Sequence, residues 1–387
     1  MKAKLFDNIG IGYFLVCSII FTVSTYKPIN DYIDIPHFVL NTVTPTSVVF
    51  FIGIILVLMS VPFKKVYLDG IAIALTMRFF LSLIPTIYIQ EMPDFYGNLE
   101  TTALCVLSYF IARNYINSPE KIIRCISALF FWICFQLIAE AWMSPVSYFG
   151  DTYYYKNNLV IPIGGSNAIA SKIIPCFAFS FCSSKKNGYK LILILTLFLS
   201  LGLTKSRSGI IAGIIMLAFV YVWNGRINFK RLTKLLSIIA TFGILLISLL
   251  IKSHIWNYAF YDNTSTILNR FGRWKTSLHF FVDYPLFGAG FLAQAADYNP
   301  HNWLLSIMFR GGVVGCILAI AVIILIMKKL HGCYDDTTIQ GCVCFVVSML
   351  TQGMAEIIMF TSTHDFFFWF IIGLAVNKAS RYKNTYE

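Results

Sequence analysis

Residues 303–327 read WLLSIMFRGGVVGCILAIAVIILIM, an apolar run interrupted by a single charged side chain, Arg310. A bilayer's hydrocarbon core of ~30 Å is crossed by ~20 helical residues. Lipid also forces every crossing segment to satisfy its own backbone hydrogen bonds. The run therefore predicts a membrane-spanning α-helix. The whole chain of 387 residues has the same character, since 58% of it is hydrophobic and only 12% is charged.

Working outward from this run, we predict a polytopic, all-α integral membrane protein with about 12 transmembrane helices. The predicted crossings are 9–25, 46–62, 66–87, 100–115, 122–142, 167–183, 189–203, 208–223, 234–251, 303–327, 340–359 and 365–377. Residues 1–387 then form a single membrane domain. Residues 252–302 form one large outer loop, inserted between the ninth and tenth helices. The N-terminus lacks a small-residue cleavage site, which favours a retained first helix over a signal peptide.

The distribution of basic residues predicts the orientation, because cytoplasmic loops concentrate lysine and arginine. If both termini lie in the cytoplasm, the inner loops carry 19 Lys and Arg and the outer loops carry 8. The net charge of +12 is then mainly a topogenic signal. We therefore expect a lipid bilayer as partner and no nucleic acid.

Some cations lie on the predicted outer side, against this gradient. They are Lys205 and Arg207, in the turn TKSRSG after the seventh helix, and Arg270, Arg273 and Lys275 in the insert. One interpretation is that these side chains reach lipid headgroups. The other is an anion site, because the planar fork of arginine can bind a phosphate with two hydrogen bonds. The hydroxyls of Ser206 and Ser208 and the N–H groups of the following helix start would add donors.

The ionisable residues that lie within apolar parts of the predicted crossings include Arg78, Glu140, Lys172, Arg310 and Glu356. All but Arg78 would lie in the outer half of the membrane. Charged side chains at such depth normally face a cavity or a partner. They indicate either a polar cavity open to the outside or salt bridges that lock the bundle, and the sequence does not say which residues pair.

The insert contains a predicted amphipathic helix over 267–281. Its apolar stripe, at spacings of three and four, consists of Ile267, Phe271, Trp274, Leu278 and Phe281. Such a helix can lie in the membrane interface. At ~100° per residue, Arg270 falls roughly 50° from the stripe's centre and Arg273 about twice as far. We therefore expect Arg270 to reach a headgroup and Arg273 to be a solvated companion. Pro285 ends the helix, and Gly288 and Gly290 allow a close backbone approach in the turn that follows.

His301 lies at the mouth of the tenth helix, between Pro300 and Asn302. Histidine exchanges protons near neutral pH and serves as a general base. The alternative is an interfacial histidine beside an anchoring Trp303. The sequence shows no histidine pair with metal-ligand spacing and no prominent carboxylate pair, so we expect neither a metal nor a cofactor.

Three pieces of the chain, in order, resemble the O-antigen ligase and O-antigen polymerase superfamily of bacterial polysaccharide assembly. The resemblance covers about residues 190–330. The pieces are SRSG at 206–209, RxxxW at 270–274 with DYPLFGAG at 283–290, and PHNW at 300–303 with GGVVG at 311–315.

This resemblance implies a glycosyltransferase-C-like membrane fold and a metal-independent, inverting glycosyltransferase. Such an enzyme moves a glycan from undecaprenyl diphosphate to an acceptor sugar hydroxyl. The active site would face the outer, periplasmic side of the bacterial cytoplasmic (inner) membrane. The family's helix-start arginine corresponds to Arg207, the arginine of its RxxxW pattern to Arg270, and the histidine before asparagine to His301. The remaining candidates for substrate binding are Lys205, Ser206, Ser208, Arg273 and Arg310.

The acceptor stays open between two possibilities. In O-antigen ligases it is lipid A–core, and in polymerases it is another carrier-linked repeat unit. We favour a polymerase of O-antigen or capsule repeat units because the insert is short for a ligase. A polysaccharide transporter or flippase is a distant alternative, since it would need helices broken at mid-membrane and an internal repeat. We recognise neither in the sequence.

Overall fold

The computed structural model describes residues 2–23, 45–60, 67–89, 95–143, 159–161, 164–223, 230, 233–234, 237, 264–292, 300–356 and 361–386. Its α-helices are α1 (Lys2–Val23), α2 (Pro45–Ser60), α3 (Gly70–Leu81), α4 (Phe95–Tyr115), α5 (Pro119–Met143), α6 (Ser166–Ser183), α7 (Asn187–Thr204), α8 (Arg207–Val222), α9 (Thr264–Asp283), α10 (Trp303–Leu330), α11 (Thr337–Gly353) and α12 (Ser362–Tyr386). Short 3-10 turns lie at Ile84–Ile87 and Gly290–Leu292.

The all-helical prediction is confirmed for the described residues. The strands among them are β1 (Val160–Ile161) and β2 (Gly164–Gly165), an antiparallel pair that leads directly into α6. Helices lie at the predicted crossings except 234–251, most of which falls outside the described residues.

Four described helical stretches are long and apolar enough to cross a membrane: Gly70–Ile87, Pro119–Met143, Asn187–Thr204 and Trp303–Leu330. They are consistent with a membrane protein. The count of twelve crossings and the outer position of 252–302 stay predictions.

The centre of the bundle is α6. Nearly all of its side chains from Ile169 to Ser180 are buried, and it packs against α5, α7, α8 and α11. A second extensive contact joins α4 to α12. Because α6 begins beside the start of α8 and α11 ends nearby, the central helices bring several helix termini to one end of the bundle.

The helix α10 is broken at Gly312, whose backbone has φ 59° and ψ −157°. We expected no broken helix from the sequence, and for α10 this expectation is wrong. The break frees backbone groups that normally bond within the helix. Val313 N–H donates to the carbonyl of Pro285 at 2.8 Å, and Val314 N–H donates to that of Leu286 at 3.1 Å. The turn after α9 therefore docks into the interruption in α10.

This turn is also attached to the end of α3 and to α4. Phe291 N–H donates to the carbonyl of Ser82 at 3.1 Å, and Asn98 Nδ2 donates to the carbonyl of Phe291 at 3.0 Å. Gly288 has φ 60°, and a Cβ there would lie 2.5 Å from the carbonyl oxygen of Phe309. The close approach predicted for the glycines is thus present, and it holds α9 against α3, α4 and α10.

Candidate functional site

The turn between α7 and α8 is shaped by two residues. Lys205 ends α7 in the left-handed conformation, with φ 49°. Ser206 caps α8, because its Oγ accepts a hydrogen bond from Gly209 N–H at 3.2 Å. The helix then begins at Arg207, which is exposed. The start of a helix carries unsatisfied N–H groups and a partial positive charge, both of which favour a bound anion. The side chains of Lys205 and Arg207 add positive charge at the same place.

Glu356, just beyond the end of α11, is the centre of a polar cluster at this end of the bundle. Only 9% of the residue is exposed. Its Oε1 accepts hydrogen bonds from Ser208 Oγ at 2.9 Å and from Asn167 Nδ2 at 3.2 Å. Arg270 Nη2 donates to the same oxygen at 2.9 Å. A single carboxylate therefore joins the starts of α6 and α8 to helix α9. We call this the Glu356 cluster.

Arg270 is held in place by two contacts. In addition to its ion pair with Glu356, its Nη1 donates to the backbone carbonyl of Ala355 at 2.6 Å. The side chain remains 30% exposed. Since a guanidinium carries five N–H donors in a fixed fork, holding one part of it fixes the direction of the rest.

His301 joins the cluster from the other side. Its Nδ1 lies 3.9 Å from Glu356 Oε2, and its Nε2 lies 3.2 Å from Arg273 Nη1. A guanidinium can only donate, so Nε2 acts as the acceptor and the ring proton sits on Nδ1, facing the carboxylate. His301 also has φ 51°. A residue other than glycine in that conformation costs of order 1–3 kcal/mol, so the surrounding contacts hold it there.

Those contacts come from the two residues beside His301. The carbonyl of Pro300 accepts a hydrogen bond from Trp274 Nε1 at 2.6 Å. Asn302 caps α10, its Oδ1 accepting from the N–H groups of Leu304 and Leu305, and its Nδ2 donates to the carbonyl of Met354 at 3.3 Å. The sequence pieces RxxxW and PHNW therefore form one structural unit.

The Glu356 carboxyl is surrounded by donors and cations. Ser208 Oγ and Arg270 Nη2 both donate to Oε1 at 2.9 Å, and His301 Nδ1 lies 3.9 Å from Oε2. The cluster thus contains one carboxylate and the cations Arg270 and Arg273, with Arg207 at the adjacent helix start. The net charge of these four side chains is therefore positive, which favours the binding of a multiply charged anion.

The remaining predicted site residues fall into two places. Ser206 belongs to the cluster, since its Oγ donates to Asn167 Oδ1 at 2.7 Å, and Lys205 precedes it in the same turn. Arg310 lies further along α10, where its Nη1 donates to Asn98 Oδ1 at 2.8 Å. There it lines an apolar groove together with Arg78.

The structure shows which side of α9 packs against the protein, and the interfacial position of the helix stays a prediction. Phe271 and Leu278, from the predicted apolar stripe, are exposed, whereas Ser277 is buried. Phe280 packs against Phe309 with ring centroids 5.0 Å apart. Arg273 is on the packed side and contacts His301, so the interpretation of Arg273 as a solvated companion is wrong.

Sequence reasoning did not identify two members of the cluster. Glu356 was recognised as a charge inside a predicted crossing but not as part of the site, because its partner Arg270 lies in the insert, far away in the sequence. Asn167 gave no signal, because an isolated asparagine near the start of a helix is common.

Among the described residues, no group of three or more His, Cys, Asp and Glu side chains could hold a metal ion. The prediction of metal independence stays a prediction.

The fold and the cluster define a helical membrane protein with a cationic, histidine-containing site at one end of its bundle. Residues 192–320 match the family model described as O-antigen ligase. This confirms the resemblance to the O-antigen ligase and polymerase superfamily, and the matched segment contains Arg207, Arg270 and His301 but not Glu356. The search of curated proteins found no match for the chain.

Proposed function

We propose that the protein is a bacterial surface-polysaccharide glycosyltransferase that moves a glycan from undecaprenyl diphosphate to an acceptor sugar hydroxyl. Its favoured role is that of an O-antigen or capsule repeat-unit polymerase. It acts in the inner membrane, with both termini in the cytoplasm and the site on the outer face. The family match supports an O-antigen ligase- or polymerase-type activity and is compatible with either acceptor.

The observation that carries this proposal is the convergence on Glu356. Arg270 and Ser208 donate to the same carboxylate oxygen, and His301 lies beside the other oxygen. The three residues come from distant parts of the chain. Their meeting at one point supports a shared chemical task for the helix start of Arg207, the insert and the mouth of α10.

In the proposed reaction, Arg207 and Arg270 bind the diphosphate of the carrier. The reaction breaks the bond between the anomeric carbon and the diphosphate oxygen, so negative charge grows on the leaving group. Fixed cations stabilise that charge most effectively when they are already oriented, as Arg270 is by Ala355 and Glu356. Lys205 and the hydroxyls of Ser206 and Ser208 lie close enough in sequence and structure to extend this anion site.

His301 accepts the proton of the acceptor hydroxyl in this mechanism. The hydroxyl oxygen attacks the anomeric carbon from the side opposite the diphosphate, which inverts the configuration, and the diphosphate leaves with the bonding electrons. Because Arg273 occupies Nε2 of His301 at 3.2 Å, we infer that Arg273 turns toward the bound phosphate and frees Nε2. Glu356 faces Nδ1 and stabilises the imidazolium that forms.

Alanine substitution at the three central residues tests the mechanism. We expect Arg207→Ala, Arg270→Ala and His301→Ala to abolish glycan extension in cells that depend on this protein, with protein levels in the membrane fraction unchanged. Lys275→Ala is the matched control, because Lys275 is an exposed cation on the same helix as Arg270. Normal product from all three variants would refute the mechanism.

A second experiment separates polymerase from ligase. Purified protein is supplied with undecaprenyl-diphosphate-linked repeat units alone, and glycan length is measured. A polymerase lengthens the glycan under these conditions. A ligase forms product only when lipid A–core is added, and that result would replace the favoured role with the alternative one.

A transporter or flippase remains the distant alternative, and the break in α10 is the observation that favours it. The turn after α9 fills that break with backbone hydrogen bonds. The break therefore has a structural role that does not require transport. Movement of intact carrier-linked glycan across proteoliposomes without bond cleavage would support this alternative.

A further inference from the structure

Two cysteine side chains meet between the central helices, away from the Glu356 cluster. Cys182 lies at the end of α6, whose start carries Asn167 of the cluster, and Cys344 lies in α11. Their Sγ atoms are 3.1 Å apart. The S–S bond of a disulfide is about 2.0 Å long, so a movement of about 1 Å would bring these sulfurs to bonding distance.

The contact between the two sulfurs is fixed by close packing of the helices. Gly341 lies one helical turn before Cys344. A Cβ at Gly341 would lie 3.0 Å from the carbonyl oxygen of Phe179 and would collide with Ser183 Oγ. Glycine therefore lets α11 approach the backbone of α6 closely at this point. The position of Cys344 against Cys182 thus follows from the backbones of two packed helices.

The two thiols have different access to solvent. Cys344 is fully buried, whereas Cys182 is half-buried. Cys182 lines an open cavity of about 330 Å³, whose walls also include the polar side chains of Lys190 and Gln340. Water and a small polar reagent can enter such a cavity. Because oxidation of cysteine depends on access to the thiol, a reagent from solvent meets Cys182 first.

We propose that Cys182 and Cys344 are an oxidisable pair that a hydroperoxide converts to a disulfide. In the first step Cys182 sulfur attacks hydrogen peroxide, the O–O bond breaks, and a sulfenic acid and water form. In the second step Cys344 sulfur attacks the sulfenic sulfur. The hydroxyl group leaves with the proton of Cys344 as water, and the S–S bond forms. Two thiols lose two electrons, and one peroxide is reduced to two molecules of water.

The disulfide would join the two helices that carry part of the Glu356 cluster. Asn167 at the start of α6 donates to Glu356, just beyond α11, at 3.2 Å. Because the sulfurs are already in contact, we expect the bond to stabilise the helix pair and to leave the cluster in place. This modification site does not depend on the proposed function.

The test is peptide mapping of the purified full-length protein in nanodiscs after treatment with hydrogen peroxide. Remaining thiols are alkylated under denaturing conditions, and the digest is analysed without reductant. We expect a linked peptide that joins Cys182 to Cys344 and is lost on addition of dithiothreitol. Cys316→Ser is the control and should retain this linkage, because Cys316 is a half-buried cysteine on a different helix, α10.

Single substitutions test the order of the two steps. In Cys344→Ser the sulfenic acid at Cys182 has no resolving thiol, so we expect dimedone to trap it. In Cys182→Ser we expect Cys344 to stay reduced, because it is buried. Equal dimedone labelling of the two variants would contradict this order.

Thermal unfolding measures the effect on stability. We expect oxidation to raise the midpoint of the wild type by at least about 2 °C, because a cross-link between distant residues restricts the unfolded chain. Dithiothreitol should reverse the shift, and neither serine variant should show it. The proposal is overturned if both thiols of the peroxide-treated wild type are fully alkylated, or if either cysteine is linked to another one instead. These outcomes are read from the wild type and do not require that a variant folds.

Discussion

At the scale of single residues, the central feature is a buried carboxylate next to two side chains of the proposed site. Glu356 contacts Arg270 at 2.9 Å and lies 3.9 Å from His301. The sequence places Glu356 in an apolar segment, where a charged side chain costs free energy unless it faces a partner or a cavity. It could not show which partner, because Arg270 lies in the insert, and the pairing depends on how α9 packs against the end of α11.

Glu356→Gln tests whether this carboxylate positions the two side chains. The amide keeps the size of the side chain and an oxygen for Ser208, but it removes the charge that holds Arg270 and faces His301. We expect glycan transfer to fall at least about tenfold, a change in barrier of ~1.4 kcal/mol. Asp283→Asn is the control, since this carboxylate is half exposed and pairs with the exposed His279. Equal activity of Glu356→Gln and wild type would contradict the assignment.

Arg270→Lys tests whether the planar fork matters or only the charge. Lysine retains the cation but cannot contact Ala355 and Glu356 together, because its ammonium is a single point on a flexible chain. We therefore expect Arg270→Lys to lose at least about tenfold in glycan transfer, a change in barrier of ~1.4 kcal/mol. Measured transfer close to the wild-type rate would mean that charge alone suffices at this position.

At the scale of structural elements, the sequence predicted the positions of the helices but did not show which of their faces pack against one another. Runs of apolar residues bounded by polar turns locate helices reliably, because a backbone segment in lipid must satisfy its own hydrogen bonds. The aromatic stripe of α9 gave no information about which of its residues contact the protein. Phe271 and Leu278 are exposed, since a helix beside a membrane can direct its apolar side chains toward lipid and its polar side chains toward the protein.

The break in α10 shows why local signals can be ambiguous. Two adjacent glycines, Gly311 and Gly312, weaken a helix by about 1 kcal/mol each relative to alanine, but apolar neighbours made the run look continuous. Only the docking of the turn after α9, with its bonds to Val313 and Val314, reveals why the chain departs from a helix there.

A pair of substitutions separates the two glycines. Gly312→Ala places a Cβ 2.5 Å from the backbone of Leu286, at a positive φ. We expect it to destabilise the fold by at least about 1–3 kcal/mol and to reduce transfer, because the turn that positions α9 is displaced. Gly311→Ala meets no atom within 4 Å and should be tolerated. Thermal unfolding in detergent measures both, and equal midpoints would contradict the role of the break.

At the scale of the whole molecule, the account depends on orientation. The distribution of lysine and arginine predicts that α9 faces outward and that the loop between α6 and α7 faces the cytoplasm. The proposed reaction, which uses a carrier-linked glycan on the outer face, requires this orientation.

Cysteine labelling in intact cells tests the orientation. Lys275→Cys and Lys186→Cys introduce thiols at two exposed positions, in a variant whose other accessible cysteines are replaced. We expect a membrane-impermeant maleimide to label position 275 in spheroplasts and position 186 only after lysis. The reverse pattern would place the cluster on the cytoplasmic side and would be incompatible with the proposed reaction.

The most direct test of the catalytic claim is the stoichiometry of turnover by the purified protein. Undecaprenyl-diphosphate-linked repeat units are supplied, and both the released undecaprenyl diphosphate and the glycan length are quantified. We predict one diphosphate carrier released for each glycan joined, without added metal, and loss of both products in His301→Ala. Glycan joining that continues unchanged in His301→Ala, or that occurs without release of the diphosphate carrier, would contradict the account.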